Sequence, residues 1–273
     1  MDETRAPLLD EAPADLFSPA EVFHEASKLQ PTDIDLFLTI RMVSGSPDIR
    51  RVISRPAARC TGLPAIDLPA PAGLADVSVG EAIRRRRSRR EMSGQAVGLD
   101  EIATLLYAAA GVVTHSTDPA DGTTWGLRTT PSGGGLYPVE VYCCALDVAG
   151  LPNGVYGYLP ASHQIAQLYP GSTRAALDTA LSLPDIADTA AACIVLSGVP
   201  RRTAFKYGER GYRFELLECG HACQNLLLAA AALDLAAVPI GGFLDDVLND
   251  VLRVDGLTEH ALYAIPVGRP ATD

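Results

Sequence analysis

Pro131-Ser132-Gly133-Gly134-Gly135-Leu136-Tyr137-Pro138 runs without a break into Val139-Glu140-Val141-Tyr142-Cys143-Cys144-Ala145-Leu146. The second half is β-branched and apolar, the composition of a buried strand. The three consecutive glycines leave the backbone bare and permit close approach of a flat or phosphorylated ligand. Taken alone, the loop also reads as a flexible surface turn. Its place directly ahead of a buried strand points to a site rather than slack.

Outward from that strand, Ala192–Gly198 reads as a second buried strand and Ala261–Arg269 as a last one, closed by Gly268-Arg269. Val238–Phe243 reads as a short strand ending in the pair Gly241-Gly242, and Val155–Leu159 with Gln164–Tyr169 as a hairpin at a sheet edge. Between them lie helical patterns. Gly98-Leu99-Asp100 opens a helix with an apolar stripe at Ile102, Leu105, Leu106, Ala109 and Val113. His115–Gly126 reads as a polar loop, Ser172–Ala190 as helix broken at Pro184, and Asp245–Leu252 as an amphipathic helix. Phe214–Leu235 is a long helix, apolar nearly all round in its second half, which needs cover from the sheet or from a second copy of the chain. Strands and helices mixed in this way indicate an α+β fold with a central mixed or antiparallel sheet.

Upstream, Arg84-Arg85-Arg86-Arg87-Ser88-Arg89-Arg90 packs six guanidiniums into seven residues of a 273-residue chain of net charge −11. Val79–Ile83 reads as a short helix carrying them from its C-terminus, where cations suit the macrodipole. That accounts for two or three of them. A hydroxyl between guanidinium forks also suits phosphate oxygens. The acidic balance argues against general nucleic-acid binding. Leu226–Leu235, the most apolar run, is short and holds Asp234, so no membrane span is expected. An acidic N-terminus without a secretion pattern leads us to expect a cytoplasmic protein. The six cysteines form no Cys-x-x-Cys pair; Cys219 and Cys223 lie one turn apart with no further ligands, so buried thiols and no metal are expected. We expect a loose acidic arm over 1–20, a wrapping segment over 21–78 and one domain over 79–273.

The order Arg86-Arg87-Ser88-Arg89-Arg90, Pro131–Pro138, Pro239-Ile240-Gly241-Gly242-Phe243 and Pro266-Val267-Gly268-Arg269-Pro270 resembles the FMN-dependent nitroreductase superfamily. Lys206-Tyr207-Gly208-Glu209-Arg210-Gly211-Tyr212-Arg213-Phe214, Gly220-His221-Ala222-Cys223-Gln224-Asn225-Leu226 and His24-Glu25-Ala26-Ser27-Lys28 are similar to its streptolysin-type branch, which includes azoline dehydrogenases of peptide-modifying gene clusters. The resemblance covers Val79–Pro270. It implies a homodimer around a long central interface helix, with FMN at the subunit interface. Arg86, Arg87, Ser88, Arg90 and Arg269 would hold the flavin phosphate, and Gly241 and Gly242 would turn N–H groups toward flavin N5. Pro131, Ser132, Gly133 and Gly135 would lie by the ring or ribityl chain, from the same or the other subunit. Met92 stands where the family commonly has an aromatic, and glycines stand at 133 and 135 where it has alanine.

In that branch Lys206 and Tyr207 are the expected catalytic pair. Oxidising a thiazoline or oxazoline to the azole removes a proton and a hydride, so a base is needed beside the hydride acceptor. The resemblance thus implies a peptide or peptide-like substrate, reoxidation by O2, and partner enzymes of a biosynthetic complex. Two alternatives stay open: a nicotinamide-fed nitro, quinone or ene reductase, and a non-catalytic docking subunit.

Overall fold

The computed structural model of the chain describes residues 18–44, 46, 58–74, 76–119 and 121–271. Most of the expected acidic arm and residues 47–57 of the wrapping segment lie outside the described residues.

Strand β5 (Val139–Ala145) sits at the centre of a seven-stranded sheet. On one side follow β7 (Gly154–Leu159), β8 (Gln164–Pro170) and β1 (Ala65–Asp67); on the other follow β9 (Ala192–Gly198), β11 (His260–Gly268) and β10 (Ala236–Ala237). Every neighbouring pair in it is antiparallel. β5 and β9 are buried at all their residues, because alternate side chains enter two different cores. Val139, Val141, Cys143 and Ala145 pack with α4 (Leu99–Ala110) and α8 (Arg210–Ala232). Tyr142 and Cys144 face the other way, onto α5 (Arg174–Ala180), α6 (Ile186–Thr189) and α9 (Asp245–Leu252). Cover on both faces is why these strands read as unbroken apolar runs. The six cysteines are free and buried.

Ahead of this body, α1 (Pro19–Ala26) and α2 (Ile34–Ser44) precede β1, and α3 (Val79–Arg85) carries the arginines. β1 pairs with β8, so the hairpin β7–β8 is not at the sheet edge. Arg59 pins this segment down through the Tyr142 and Tyr169 hydroxyls and the Leu252 carbonyl (3.3, 2.9 and 2.6 Å). β2 (Val97–Gly98) and β6 (Val148–Ala149) form a small parallel pair.

Four further expectations need correction. The polar loop 115–126 is a hairpin, β3 (Val112–Thr117) with β4 (Thr124–Arg128); it stands outside the core, so no apolar alternation marks it. α4 ends at Ala110, because Gly111 is extended where a Cβ would strike the Tyr107 ring, which leaves Val113 exposed rather than on the helix stripe. Gly208 (φ 55°, ψ −144°) separates α7 (Arg201–Tyr207) from α8, so the long helix starts at Arg210, ahead of Phe214. Val238–Phe243 is no continuous strand: Val238 donates to the Pro266 carbonyl, Pro266 has no N–H to return the bond, and what remains are isolated bridges of Ile240 to Ala264 and of Phe243 to Leu181.

Candidate active site

α3 starts at Ser78, whose hydroxyl accepts the Glu81 N–H, and delivers its arginines from its C-terminus. The Glu81 carboxylate takes Arg85 Nε (2.6 Å) and Arg84 Nε (2.9 Å), contacts that hold it below the usual carboxylate range. Arg87 turns back onto the Arg84 and Arg86 carbonyls, and Arg89 meets Asp234 at 3.2 Å. The side chains of Arg86, Ser88 and Arg90 are left without a hydrogen bond or ion pair among the described residues. The chain then pairs with its own C-terminal stretch: Met92 bridges Pro270, and the Ser93 N–H reaches the Arg269 carbonyl at 2.9 Å. Met92 is buried against Gly268, where its sulfur occupies the space of a Cβ. This pairing brings Arg269 alongside the arginine segment. Its guanidinium clasps both oxygens of Glu101 at 2.7 Å, and Glu101 also receives the Gly98 N–H. Beyond β10, the N–H groups of Gly241 and Gly242 donate to no acceptor among the described residues, while the Gly242 carbonyl holds the Ser182 N–H.

The glycine loop lies elsewhere. Gly134, Gly135 and Tyr137 are left-handed (φ 67°, 67° and 47°). Ser132 organises the turn, its carbonyl accepting the Gly135 N–H (3.1 Å) and its hydroxyl the Tyr137 N–H (2.8 Å). A Cβ on Gly134 would come within 2.4 Å of the Tyr207 hydroxyl and 2.8 Å of Lys206 Nζ. Only a glycine fits there, on conformation and on space. Gly133 presses on Phe214, whose ring meets Tyr207 edge-on at 4.9 Å. Lys206 is 6% exposed, with its ammonium 5.1 Å from the Tyr207 ring centre. Tyr207 opens on the other side to a hollow of about 420 Å³ between α7 and the α1–α2 turn, lined by Ser27, Lys28, Asp33 and Arg210 among others. The His24–Lys28 stretch is docked there by Arg213 on the Ser27 hydroxyl and Arg210 on the Ser27 carbonyl.

The sheet keeps these two groups apart. The loop enters β5 at Val139, which is level with Gly198 of β9, just before α7. Arg269 leaves β11 at the other end, where Val267 is level with Ala192. Six residues along β9 amount to about 20 Å. α8 gives a second ruler. Phe214 touches the loop, and Ala231 lies with Arg85, Arg87 and Arg89 around a small hollow; the interval is about 25 Å at the α-helical rise. Within one protomer, therefore, Lys206, Tyr207 and residues 132–135 come together, and the segment that follows Arg86, Ser88 and Arg90 runs beside Arg269, but the two sets lie apart.

Four residues of the loop end were not singled out from the sequence: Gly134, Arg128, Arg202 and Glu218. Arg202 binds the Tyr137 carbonyl (2.9 Å) and the Glu140 carboxylate. Arg128 lies over the Tyr137 ring at 4.4 Å. Glu218 is 4% exposed on α8 beneath the loop. An acid spaced i, i+4 between Phe214 and Ala222 on a helix stripe was the available signal, since acids are almost never buried without a partner.

Comparison with known proteins gives one consistent result. The Nitroreductase family model matches residues 83–269. The chain is 32% identical to the nitroreductase-type protein MJ1384 of Methanocaldococcus jannaschii over 72% of its own length and 93% of that protein. It is also 32% identical to the Escherichia coli microcin B17-processing protein McbC, over 48% of this chain and half of McbC. Among solved structures, a nitroreductase-type protein from Anabaena variabilis superposes with TM-score 0.65 and 28% identity, on 79% of this chain but 43% of that one. A chain of the E. coli microcin synthetase McbBCD complex with truncated pro-MccB17 bound superposes with TM-score 0.59 and 22% identity, on 95% of this chain and 99% of that one.

Burial pushes the Glu218 carboxyl up from 4.5 to about 7, against the Ser132 hydroxyl, Arg128, the Val139 N–H and Arg202, which pull it down. A carboxyl raised on folding favours the folded state below its unfolded pKa and loses that contribution as pH rises through its folded pKa. Denaturant titrations should therefore show wild type losing up to about 3 kcal/mol relative to E218Q between pH about 4.5 and 8. Parallel pH profiles for the two proteins would contradict this environment for Glu218.

Proposed function

The chain belongs to the nitroreductase family, and from that premise we propose that it is an FMN-dependent dehydrogenase that oxidises a thiazoline or oxazoline in a peptide-derived intermediate to the azole. Members of the family commonly bind flavin, and the likeness to McbC and to the McbBCD complex favours a peptide substrate and a place among partner enzymes. Among the described residues no helix is long and apolar enough to cross a membrane.

The residues present fit FMN. Among the described residues the donors of Arg86, Arg90 and Ser88 have no acceptor, in a segment where the neighbouring arginines all have one. That is the leftover capacity a phosphate needs. Arg269, held by Glu101, adds a cation at the same end of the sheet. The free N–H pair at Gly241 and Gly242 lies along the same β10–β11 edge, suited to negative charge at flavin N5. When bound there, the flavin would supply a hydride acceptor.

The pair Lys206–Tyr207 carries the dehydrogenase reading over simple reduction. A buried ammonium and a phenol share one glycine-lined surface, and the phenol opens to a solvent-connected hollow. In this reading Tyr207, in its phenolate form, takes the ring proton at its oxygen as base or relay and is neutral after the transfer, and the Lys206 ammonium, desolvated behind it, stabilises the phenolate before the transfer. Gly134 keeps both heads in place, and the α1–α2 turn limits water on the open side.

About 20 Å exceeds the reach from a flavin ring to its phosphate, so one protomer does not complete a site. In a homodimer related by a two-fold axis across α8, the loop end of one copy would meet the arginine end of the other. The exposed apolar residues Leu216 and Leu217 on α8, with Val79 and Ile83 on α3, suit such a face.

Lys206→Ala and Tyr207→Phe should each lower azoline oxidation by about 100-fold or more while the protein stays yellow with bound FMN, as expected for loss of a general base. Full activity in both variants would remove the pair from the chemistry. Mixed anaerobically, an azoline-bearing peptide should bleach the flavin absorbance and NADPH alone should not; rapid bleaching by NADPH alone would replace the dehydrogenase with a reductase.

A further inference from the structure

We propose that the hollow between the β3–β4 hairpin and the β7–β8 turn binds an apolar carboxylate, with Arg128 as its anion contact and the C-terminal residue of a peptide as its occupant. The anchoring of a substrate there rests on the function proposed above; the binding site itself does not.

The hollow has a volume of about 380 Å³, within the range of small-molecule sites. Trp125 and Val112 of the hairpin line it on one side, and Leu159 and Pro160 at the β7–β8 turn on the other. Neither β3 nor β4 pairs with the central sheet, which leaves the hairpin to serve as a wall. Tyr137 also lines the hollow, and the Arg128 guanidinium lies over its ring, 4.4 Å from the centre. Tyr137 is held at three points. Its hydroxyl accepts the Arg128 N–H (3.0 Å), its N–H donates to the Ser132 hydroxyl (2.8 Å), and its carbonyl takes Arg202 (2.9 Å). A surface fixed in this way loses little freedom when a ligand settles on it.

Charge decides the occupant. Among the described residues the Arg128 guanidinium makes no hydrogen bond or ion pair, although it is largely withdrawn from water. Two acids face it, Glu140 and Glu218. Glu140 lines the hollow, but its carboxylate is bonded to Arg202. Glu218 is no part of the lining, and burial raises its carboxyl to about 7, so it is only partly charged at neutral pH. Cys60, also in the lining, stays a neutral thiol, pushed up to about 11 by burial. The hollow thus sets one uncompensated guanidinium beside apolar walls. A carboxylate on an apolar or aromatic residue answers both, its oxygens on the guanidinium fork and its body along Trp125. A diphosphate carries more charge than one guanidinium answers. The position also suits a substrate anchor. Tyr137 lies three residues beyond Gly134, at most about 11 Å of extended chain, and Gly134 faces Lys206 and Tyr207. A peptide held at Arg128 by its last residue brings a ring a few residues upstream within reach of that pair.

Trp125 is the chain's only tryptophan, so its fluorescence reads the hollow directly. The full-length, flavin-loaded protein is titrated with N-acetylphenylalanine, with its C-terminal amide and with 3-phenylpropionate, and calorimetry gives a second readout. The two acids should bind saturably and the amide about tenfold or more weaker, the loss expected for a charge-assisted hydrogen bond. R128Q should bind acid and amide alike, and R128K should keep part of the preference. A161F, which sets a ring at the exposed rim, should block the acids with Arg128 intact; it decides the matter if R128Q does not fold. An azoline-bearing peptide ending in a free phenylalanine should show a KM about tenfold below that of its C-terminal amide, with kcat changed less than about twofold. That difference should vanish in R128Q. No saturable binding of either acid overturns the inference, as does equal binding of acid and amide to wild type, or an acid preference that survives in R128Q. If the acids bind as expected but KM ignores the peptide's terminus, the hollow takes a free acid and the peptide occupant is wrong. If no azoline is oxidised by any form but the acids bind at Arg128, the function proposed above fails and the site stands.

Discussion

The distance that β5, β9 and α8 impose between two sets of polar residues governs everything else about this molecule. A strand covered on both faces cannot bend to bring its ends together, and a 23-residue helix packed along it cannot either. The glycine loop with Lys206 and Tyr207 is held at one end, and the arginine segment with Arg269 at the other. Each set has unfinished business on its own: donors unpaired among the described residues at one end, a buried ammonium and a phenol at the other. Proposed pairing of two copies is the simplest way in which one cofactor could touch both.

The arginine segment illustrates how excess charge becomes specific. Most of its guanidiniums are spent locally on Glu81, on carbonyls of the helix end and on Asp234. Such exposed pairs contribute little stability, but they set direction. They hold the segment in shape and leave Arg86, Ser88 and Arg90 unpaired among the described residues. A net charge of −11 makes a cluster of this kind the natural anchor for a small anion rather than for a polyanion.

Much of this was legible in the sequence, and the losses have physical causes. β5, β9 and β11 were readable because their two-sided burial makes them uniformly apolar. α9 was readable from its amphipathic pattern. The hairpin β3–β4 was not, since strands that stand off the core carry no burial signal. The early start of α8 was masked by the charged stretch Arg210–Arg213, which serves to dock α1 rather than to mark a loop. Among site residues, Ser88 and its flanking arginines were visible from residue type and spacing. Gly134 was passed over for Gly133 and Gly135, because which glycine meets a neighbour depends on a loop conformation that spacing does not encode. Glu218 was hidden inside an apolar helix, where only its cost of burial marks it out.

The most direct measurement is complementation between two inactive homodimers, one carrying Lys206→Ala and the other Arg86→Ala with Arg90→Ala, mixed under conditions that allow subunit exchange. If each site takes its arginines from one copy and its Lys206–Tyr207 pair from the other, half of the randomly exchanged dimers are mixed and each has one intact site. Activity should then return to about a quarter of the wild-type level. Mixed dimers that form in full yet remain inactive would place both halves of a site in a single protomer and contradict the distance on which this account rests.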